Sequence, residues 1–282
     1  MISLTPDHQL WGYELFQQEA SITHFVTHRQ GGFSTKKGYE SFNLSPYCGD
    51  EIEAVDRNKE LLFHLLPSKP KWFLQPYQTH QDQIGVIDSA FLSLPQLEQQ
   101  KSLQGIDALI TNVPACCITI ATADCVPILL YDVENKAIAA IHSGWRGALL
   151  RIVEKAVHRM GTVYGTNPAH LRVAIGPSIS QDAFEVGVEV YEAFRREQFN
   201  VDSFSYYKPP TESKGEKYHL DLWKCIIQSL HKLGVSKQQI ELANLCTYTD
   251  YKSFFSARRL GIQSGRITSG IYLHDTSLFN DK

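Results

Sequence analysis

The stretch from Ala108 to Ser143 restricts the fold more than any other part of the chain. ALITNVPACCITIATADCVPILLYD holds two apolar segments rich in β-forming residues, parted by the polar insert TADC, and KAIAAIHSGWRG adds a further strand that ends in a turn. Cys125 and His142 therefore fall at strand edges or ends. Directly after them, GALLRIVEKAVHRM at 147–160 places Leu149, Ile152, Val153, Ala156 and Val157 at the spacing of one helix face, suited to packing on the sheet. Sheet and covering helix together point to an α/β chain.

The same alternation continues on both sides. ITHFVTH at 22–28 reads as a strand, and the following RQGGFSTKKG reads as a glycine-rich loop that exposes Arg29. A helix is expected at about 51–66. WFLQPYQTHQDQIGVID gives a strand, a polar interruption carrying His80, and a second strand. LRVAIGPSIS is a strand entering a Gly-Pro turn. VGVEVYEAFRREQF and HLDLWKCIIQSLHKLG read as helices, the latter stopped by Gly234. ELANLCTYT and SGIYLHD read as strands, and the polar stretch 202–218 as a mobile surface loop. The expected architecture is a single layered domain over residues 1–282, with mixed β-sheets flanked by helices.

Charge and cysteine usage narrow the partners. Lys and Arg number 27 against 30 Asp and Glu, a formal net charge of −3, which gives no electrostatic pull toward nucleic acid or anionic lipid and favours a small-molecule partner. No apolar run approaches a membrane span, and the first residues lack the basic and apolar regions of an export signal. Six cysteines are too sparse for a disulfide scaffold. A cytoplasmic protein, monomeric or a small homo-oligomer, is expected. The adjacent Cys116 and Cys117 read as buried small hydrophobes.

Cys125 differs in having polar neighbours. Zinc favours imidazole nitrogen and thiolate sulfur, and catalytic sites commonly use three protein ligands while leaving one position open. His80, Cys125 and His142 fit that inventory, but they are far apart in sequence, so only the fold can bring them together. Taken singly, a histidine at a strand end is more often a hydrogen-bonded structural residue.

A set of ordered blocks makes the reading specific. THRQGGFS at 27–34, SFNLSPYCGD at 41–50, LQPYQTH at 74–80, GIDALIT at 105–111 and TADCVPILLYD at 122–132 are followed by AIHSGWRG at 140–147 and AIGPSISQDAFEVG at 174–187. HLDL at 219–222, CTY at 246–248 and FFSARRLGIQSGR at 254–266 complete the series. Over most of its length the chain resembles the YfiH/YlmD family of purine nucleoside phosphorylases, also known as laccase-domain or polyphenol oxidase proteins. The resemblance implies a YfiH-like α/β fold and a catalytic Zn2+ on His80, Cys125 and His142. It also implies phosphorolysis of adenosine, inosine, guanosine and S-methyl-5′-thioadenosine, together with deamination of adenosine. Gln78 and Thr79 precede the ligand histidine, where many members carry an apolar residue just before it; this changes the fit and leaves the ligand in place.

Roles for the neighbours follow from those reactions. Deamination needs an activated water at purine C6 and a group to move its proton. Asp124, beside a ligand, is the candidate, either for that task or for orienting a histidine. Phosphorolysis needs a cation for phosphate, and Arg29 and Arg146 lie beside glycines in loops that let an anion approach. Asn43 is a further candidate substrate contact, whereas Arg258, Arg259 and Arg266 read as structural ion-pair partners.

Three other readings stay open. His142 and Cys125 could form a metal-free thiol hydrolase, which has no need of His80. Copper-dependent phenol oxidation ordinarily needs several ions and a histidine-rich set, and the 11 histidines here form no H-x-H pair; Cu2+ at a single N/S site accounts more simply for such activity. A non-catalytic nucleoside or peptidoglycan-precursor binding protein would have no use for an open metal position.

Overall fold

Residues 1–209 and 216–275 are described by a computed structural model. Two six-stranded mixed sheets lie face to face. The first runs in the order Ile2–Ser3, Leu10–Gly12, Ile22–Thr27, Ile267–Leu273, Cys116–Thr122 and Trp72–Leu74. The second runs Ile240–Leu242, Leu171–Ile175, Val126–Asp132, Ala137–Ser143, Ala108–Thr111 and Ile84–Ile87. Most neighbours are antiparallel; Trp72–Leu74 pairs in parallel with Cys116–Thr122, Ile84–Ile87 with Ala108–Thr111, and Ile240–Leu242 with Leu171–Ile175.

Side chains alternate across each strand, which explains why the central segments read as unbroken apolar runs. Leu129, Tyr131, Ile138 and Ala140 of the second sheet meet Ile118, Ile120, Ile267 and Ile271 of the first in an inter-sheet core. Their neighbours Ile128, Leu130, Ala139 and Ile141 point the other way, onto helices Ile152–Tyr164 and Leu222–Lys232. On the far side of the first sheet, Phe25, Cys117 and Tyr272 are covered by Leu62 of helix Ile52–Leu65 and by Phe42 and Leu44. Both faces of both sheets are therefore buried, in a helix, sheet, sheet, helix stack. Cys116 and Cys117 are buried on opposite faces of one strand, and burial pushes the Cys116 thiol up to about 12.

Two expectations need correction. The helix expected over 147–160 is two helices, Trp145–Leu149 and Ile152–Tyr164, with Arg151 between them at φ 61. One left-handed residue leaves the turns on either side helical, so the apolar spacing cannot reveal it. Arg151 is held there by stacking on Phe199 and by donating to the Glu197 carbonyl. The stretch 202–218, expected as a mobile loop, instead contributes strands Ser205–Lys208 and Lys217–Leu220 to a small sheet with Glu185–Val186. Tyr206 stacks on His219 and Tyr207 packs on Tyr218, cross-strand pairs that outweigh the polar composition. Residues 210–215 lie outside the described residues. Among those described, no helix is long and apolar enough to cross a membrane.

One buried histidine makes the stack acid-sensitive. His24 accepts the Tyr13 amide proton on Nε2 at 2.9 Å, and burial lowers its pKa to about 4. The unfolded chain binds the extra proton between pH 6.5 and 4, so the contribution of neutral His24 is complete above about 6.5 and is lost as pH falls through that window. Lowering pH from 7.5 to 5 is expected to cost about 2 kcal/mol through this residue alone. Urea unfolding at both pH values tests it: His24→Gln, which can still accept the amide proton, should lose correspondingly less, and equal losses in both proteins contradict the assignment.

Candidate active site

The candidate ligands meet at the ends of the second sheet, and strand register does most of the work. Val126 pairs with Ser143 and Pro127 with His142, so Cys125 emerges beside Gly144, next to the imidazole of His142. His80 arrives from the loop between Trp72–Leu74 and Ile84–Ile87, at φ 62. The ligand atoms of His80, Cys125 and His142 all lie within 4.8 Å of one another, and the two imidazoles stand edge to face at 4.8 Å. Zinc bonds of about 2.0 Å to nitrogen and 2.3 Å to sulfur need donor separations of about 3.5 Å, so small side-chain rotations close the set.

Asp107 holds this arrangement together. It is fully buried at the entry to strand Ala108–Thr111. One carboxylate oxygen accepts the His80 amide at 2.9 Å and lies 2.7 Å from His142 Nδ1, while the other accepts the amides of Thr79 at 3.1 Å and Gln81 at 2.9 Å. Its own carbonyl accepts the His142 amide at 2.8 Å. A proton on His142 Nδ1 leaves Nε2 as the free donor for a metal. Burial pushes the Asp107 carboxyl up, but His142 and the loop amides outweigh it and hold the pKa below the ordinary value. Burial likewise raises the Cys125 thiol, and the adjacent His142 and His80 more than offset this, favouring the thiolate, which is the ligand form. Burial lowers His142, and the Cys125 and Asp107 charges reverse that.

Gln78 fixes the His80 loop to the first sheet. Its amide donates to the Ala121 carbonyl at 2.9 Å and accepts the Ala121 amide at 2.8 Å, copying a strand partner.

Gly144 leaves no room for a side chain. A Cβ there would sit 2.9 Å from Cys125 Sγ and 3.3 Å from His80 Cδ2, while its φ of −75 is open to any residue. Gly144→Ala is therefore expected to act through sterics: metal affinity, measured by chelator competition, falls by roughly tenfold or more with little change in melting temperature. Unchanged affinity would mean the cluster yields without cost.

A cavity of about 320 Å³ opens over the cluster, near the lower end for small-molecule sites. His80, Cys125 and His142 form part of its wall, Tyr47 and Tyr77 stand edge to face at 5.3 Å in it, and Ser45, Gln78, Thr122 and Arg266 are among its other polar residues.

Several sequence-derived candidates lie elsewhere. Both Asp124 oxygens are engaged, by Thr247 Oγ1 and the Arg258 amide at 2.7 Å each, so Asp124 ties two loops together; the carboxylate that orients a histidine is Asp107. Arg29 donates to the carbonyls of Glu40 and Tyr251, pairs with the Glu40 carboxylate and lies over Phe255, away from the cavity lining. Arg146 is exposed and stacks on Trp145, also outside the lining. Asn43 is wholly buried and bonded to Ser45, Asp50 and the Arg266 amide, a structural joint and not a substrate contact. Arg266, expected as an ion-pair partner, instead lines the cavity. Sequence reasoning passed over Asp107, Thr122, Tyr47 and Tyr77. The available signal for Asp107 was a lone acid directly before the apolar strand segment ALIT.

Comparison with known proteins shows the family and the fold. A family model described as multi-copper polyphenol oxidoreductase laccase matches residues 23–274. A purine nucleoside phosphorylase of Bacteroides thetaiotaomicron is 47% identical over 274 residues, covering 97% of this chain and 100% of that one. Adenosine deaminase RL5, from an unknown prokaryotic organism, is 39% identical over 248 residues, covering 85% and 92%. The crystal structure of the Bacillus licheniformis hypothetical protein YfiH superposes with a TM-score of 0.83 at 27% identity, covering 94% of this chain and 96% of that one.

Proposed function

The chain belongs to the family described as multi-copper polyphenol oxidoreductase laccase, and from that membership and its His-Cys-His cluster we propose that it is a zinc-dependent purine nucleoside phosphorylase that also deaminates adenosine. The observation that carries the reading is the convergence of His80, Cys125 and His142 on one cavity wall. Adenosine, inosine, guanosine and S-methyl-5′-thioadenosine, with phosphate, are the proposed substrates, and the whole chain acts as one catalytic domain in the cytoplasm.

The donor set suits zinc: two imidazoles and one thiolate leave a fourth position open. When bound, zinc supplies the Lewis acidity that makes water nucleophilic near neutral pH. The chain's own groups do the rest. Asp107 fixes the tautomer and direction of His142 and holds the His80 loop, while Gln78 braces that loop from the other sheet. Tyr47 and Tyr77 offer flat faces against which a purine can stack. In phosphorolysis a phosphate oxygen bonds to C1′ as the C1′–N9 bond breaks; the electron pair leaves with the base, which takes up a proton, giving ribose 1-phosphate and free purine. In deamination a water oxygen adds at C6 and the amino group departs as ammonia.

Copper oxidation of phenols fits the ligand inventory less well. Among the described residues one His/Cys group is close enough to hold an ion, where multi-copper chemistry draws on several. A metal-free Cys125 hydrolase is favoured by one observation, the closeness of the Cys125 sulfur to the His142 imidazole, their ligand atoms lying within 4.8 Å. His80→Ala separates the two readings: the zinc enzyme loses turnover, while the thiol hydrolase keeps it and remains sensitive to thiol reagents.

The test is chromatography of products from metal-quantified protein and adenosine. Phosphate-dependent adenine together with inosine is expected. Unchanged adenosine from protein carrying one zinc per chain would overturn the reading.

A further inference from the structure

The cavity contains a cation, Arg266, with which no carboxylate among the described residues pairs within 4.0 Å. Instead its guanidinium is wrapped by its own loop: Nη1 donates to the Ser264 carbonyl and, at 3.0 Å, to that of Gly265, and Nη2 donates to the Ile262 carbonyl at 3.0 Å. Its amide is pinned by Asn43 Oδ1, also at 3.0 Å. A guanidinium carries five N–H donors. The carbonyls of the loop take both Nη1 hydrogens and one on Nη2, leaving Nε–H and the second Nη2 hydrogen without a protein acceptor among the described residues. Two donors on a fixed, positively charged fork match an oxyanion.

An independent observation lies beside it. Ile267 is in register with Thr122 across the antiparallel pair, and Arg266, the residue before it, lines the same cavity as Thr122. Thr122 is 1% exposed and lines the same cavity, and its hydroxyl has no hydrogen-bond partner among the described residues. A buried hydroxyl left unpaired is costly unless a ligand completes it.

We propose that Arg266 and Thr122 form a phosphate subsite in the cavity that the His-Cys-His cluster also lines. The inference rests on the proposed phosphorylase reading and gives it the anion-binding group that Arg29 and Arg146 do not supply. The guanidinium neutralises the incoming phosphate and the hydroxyl donates a further hydrogen bond to it. The loop carbonyls hold the fork in place before phosphate arrives, so little ordering cost is left to binding.

The experiment titrates inorganic phosphate into zinc-loaded protein, followed by 31P NMR line broadening, and separately measures the phosphate KM with adenosine. Arg266→Gln is expected to weaken phosphate binding by roughly tenfold or more, and Thr122→Val by about threefold to tenfold. Arg266→Lys should fall between wild type and Arg266→Gln, and Arg146→Gln should match wild type. Because Arg266 also supports its loop, melting temperatures accompany each variant, and the near-isosteric Thr122→Val carries the test if Arg266→Gln unfolds. Equal phosphate affinity in wild type, Arg266→Lys and Thr122→Val overturns the subsite, as does a wild type that binds no phosphate. Phosphate binding that depends on these residues, in a protein that never cleaves adenosine, upholds the subsite and sinks the phosphorylase reading instead.

Discussion

Asp107→Ala is expected to be the most damaging single change in the protein. The carboxylate accepts three loop amides and faces His142 Nδ1, all from a fully buried position. Removing one partner of a buried charged network costs about 3–5 kcal/mol, since the groups left behind lose their hydrogen bonds without regaining water. That is a large share of the stability of a typical domain, about 5–15 kcal/mol. Asp107→Asn separates positioning from stability. Its carbonyl can still accept loop amides, but its NH2 group faces His142 Nδ1 with a donor, which favours the tautomer that withdraws Nε2 from the metal. Metal affinity should then fall by about tenfold to a hundredfold, with a smaller loss of melting temperature than Asp107→Ala. If Asp107→Asn binds metal like wild type, the carboxylate supports the fold and does not orient the ligand.

The second large effect is expected at Cys125. Cys125→Ala removes the only sulfur of the cluster and leaves the backbone register of Val126–Asp132 with Ala137–Ser143 untouched. Phosphorolysis and deamination should fall together by on the order of a thousandfold, equivalent to about 4 kcal/mol of transition-state stabilisation. The fold should persist, since a half-buried side chain is replaced by a smaller apolar one. Loss of one reaction with survival of the other would show that the two do not share the cluster.

How much of this was legible in the sequence depended on the range of the interactions. The apolar runs 108–111, 116–122, 126–132 and 137–143 announce strands because burial on both faces leaves them mostly apolar, with most of the polar exceptions gathered toward their ends. The ligands stand out for the opposite reason: Cys125 and His142 are chemistry-bearing residues at the ends of those runs, and the family blocks fix their identity. What stayed hidden was set by long-range contact. Arg29 and Asn43 sit in glycine- and turn-rich text that suggests a binding loop, yet their polar atoms are spent on Tyr251, Glu40, Asp50 and Arg266, partners remote in sequence or across a turn. Asp124 adjoins a ligand, but its left-handed backbone, φ 84, accompanies a side chain bound to Thr247 and the Arg258 amide. Asp107 is the converse case. It lies far in sequence from Cys125, and only the pairing of Ala108–Thr111 with Ala137–Ser143 brings it under His142.

The central claim is that one metal on His80, Cys125 and His142 supports both nucleoside reactions, and a zinc titration of metal-stripped protein tests it most directly. Adenosine turnover with and without phosphate is followed as zinc is added. The account predicts that inosine formation and phosphate-dependent adenine formation rise together and level off at one zinc per chain. Turnover already complete before zinc is added, or a second metal equivalent needed for either product, would contradict it.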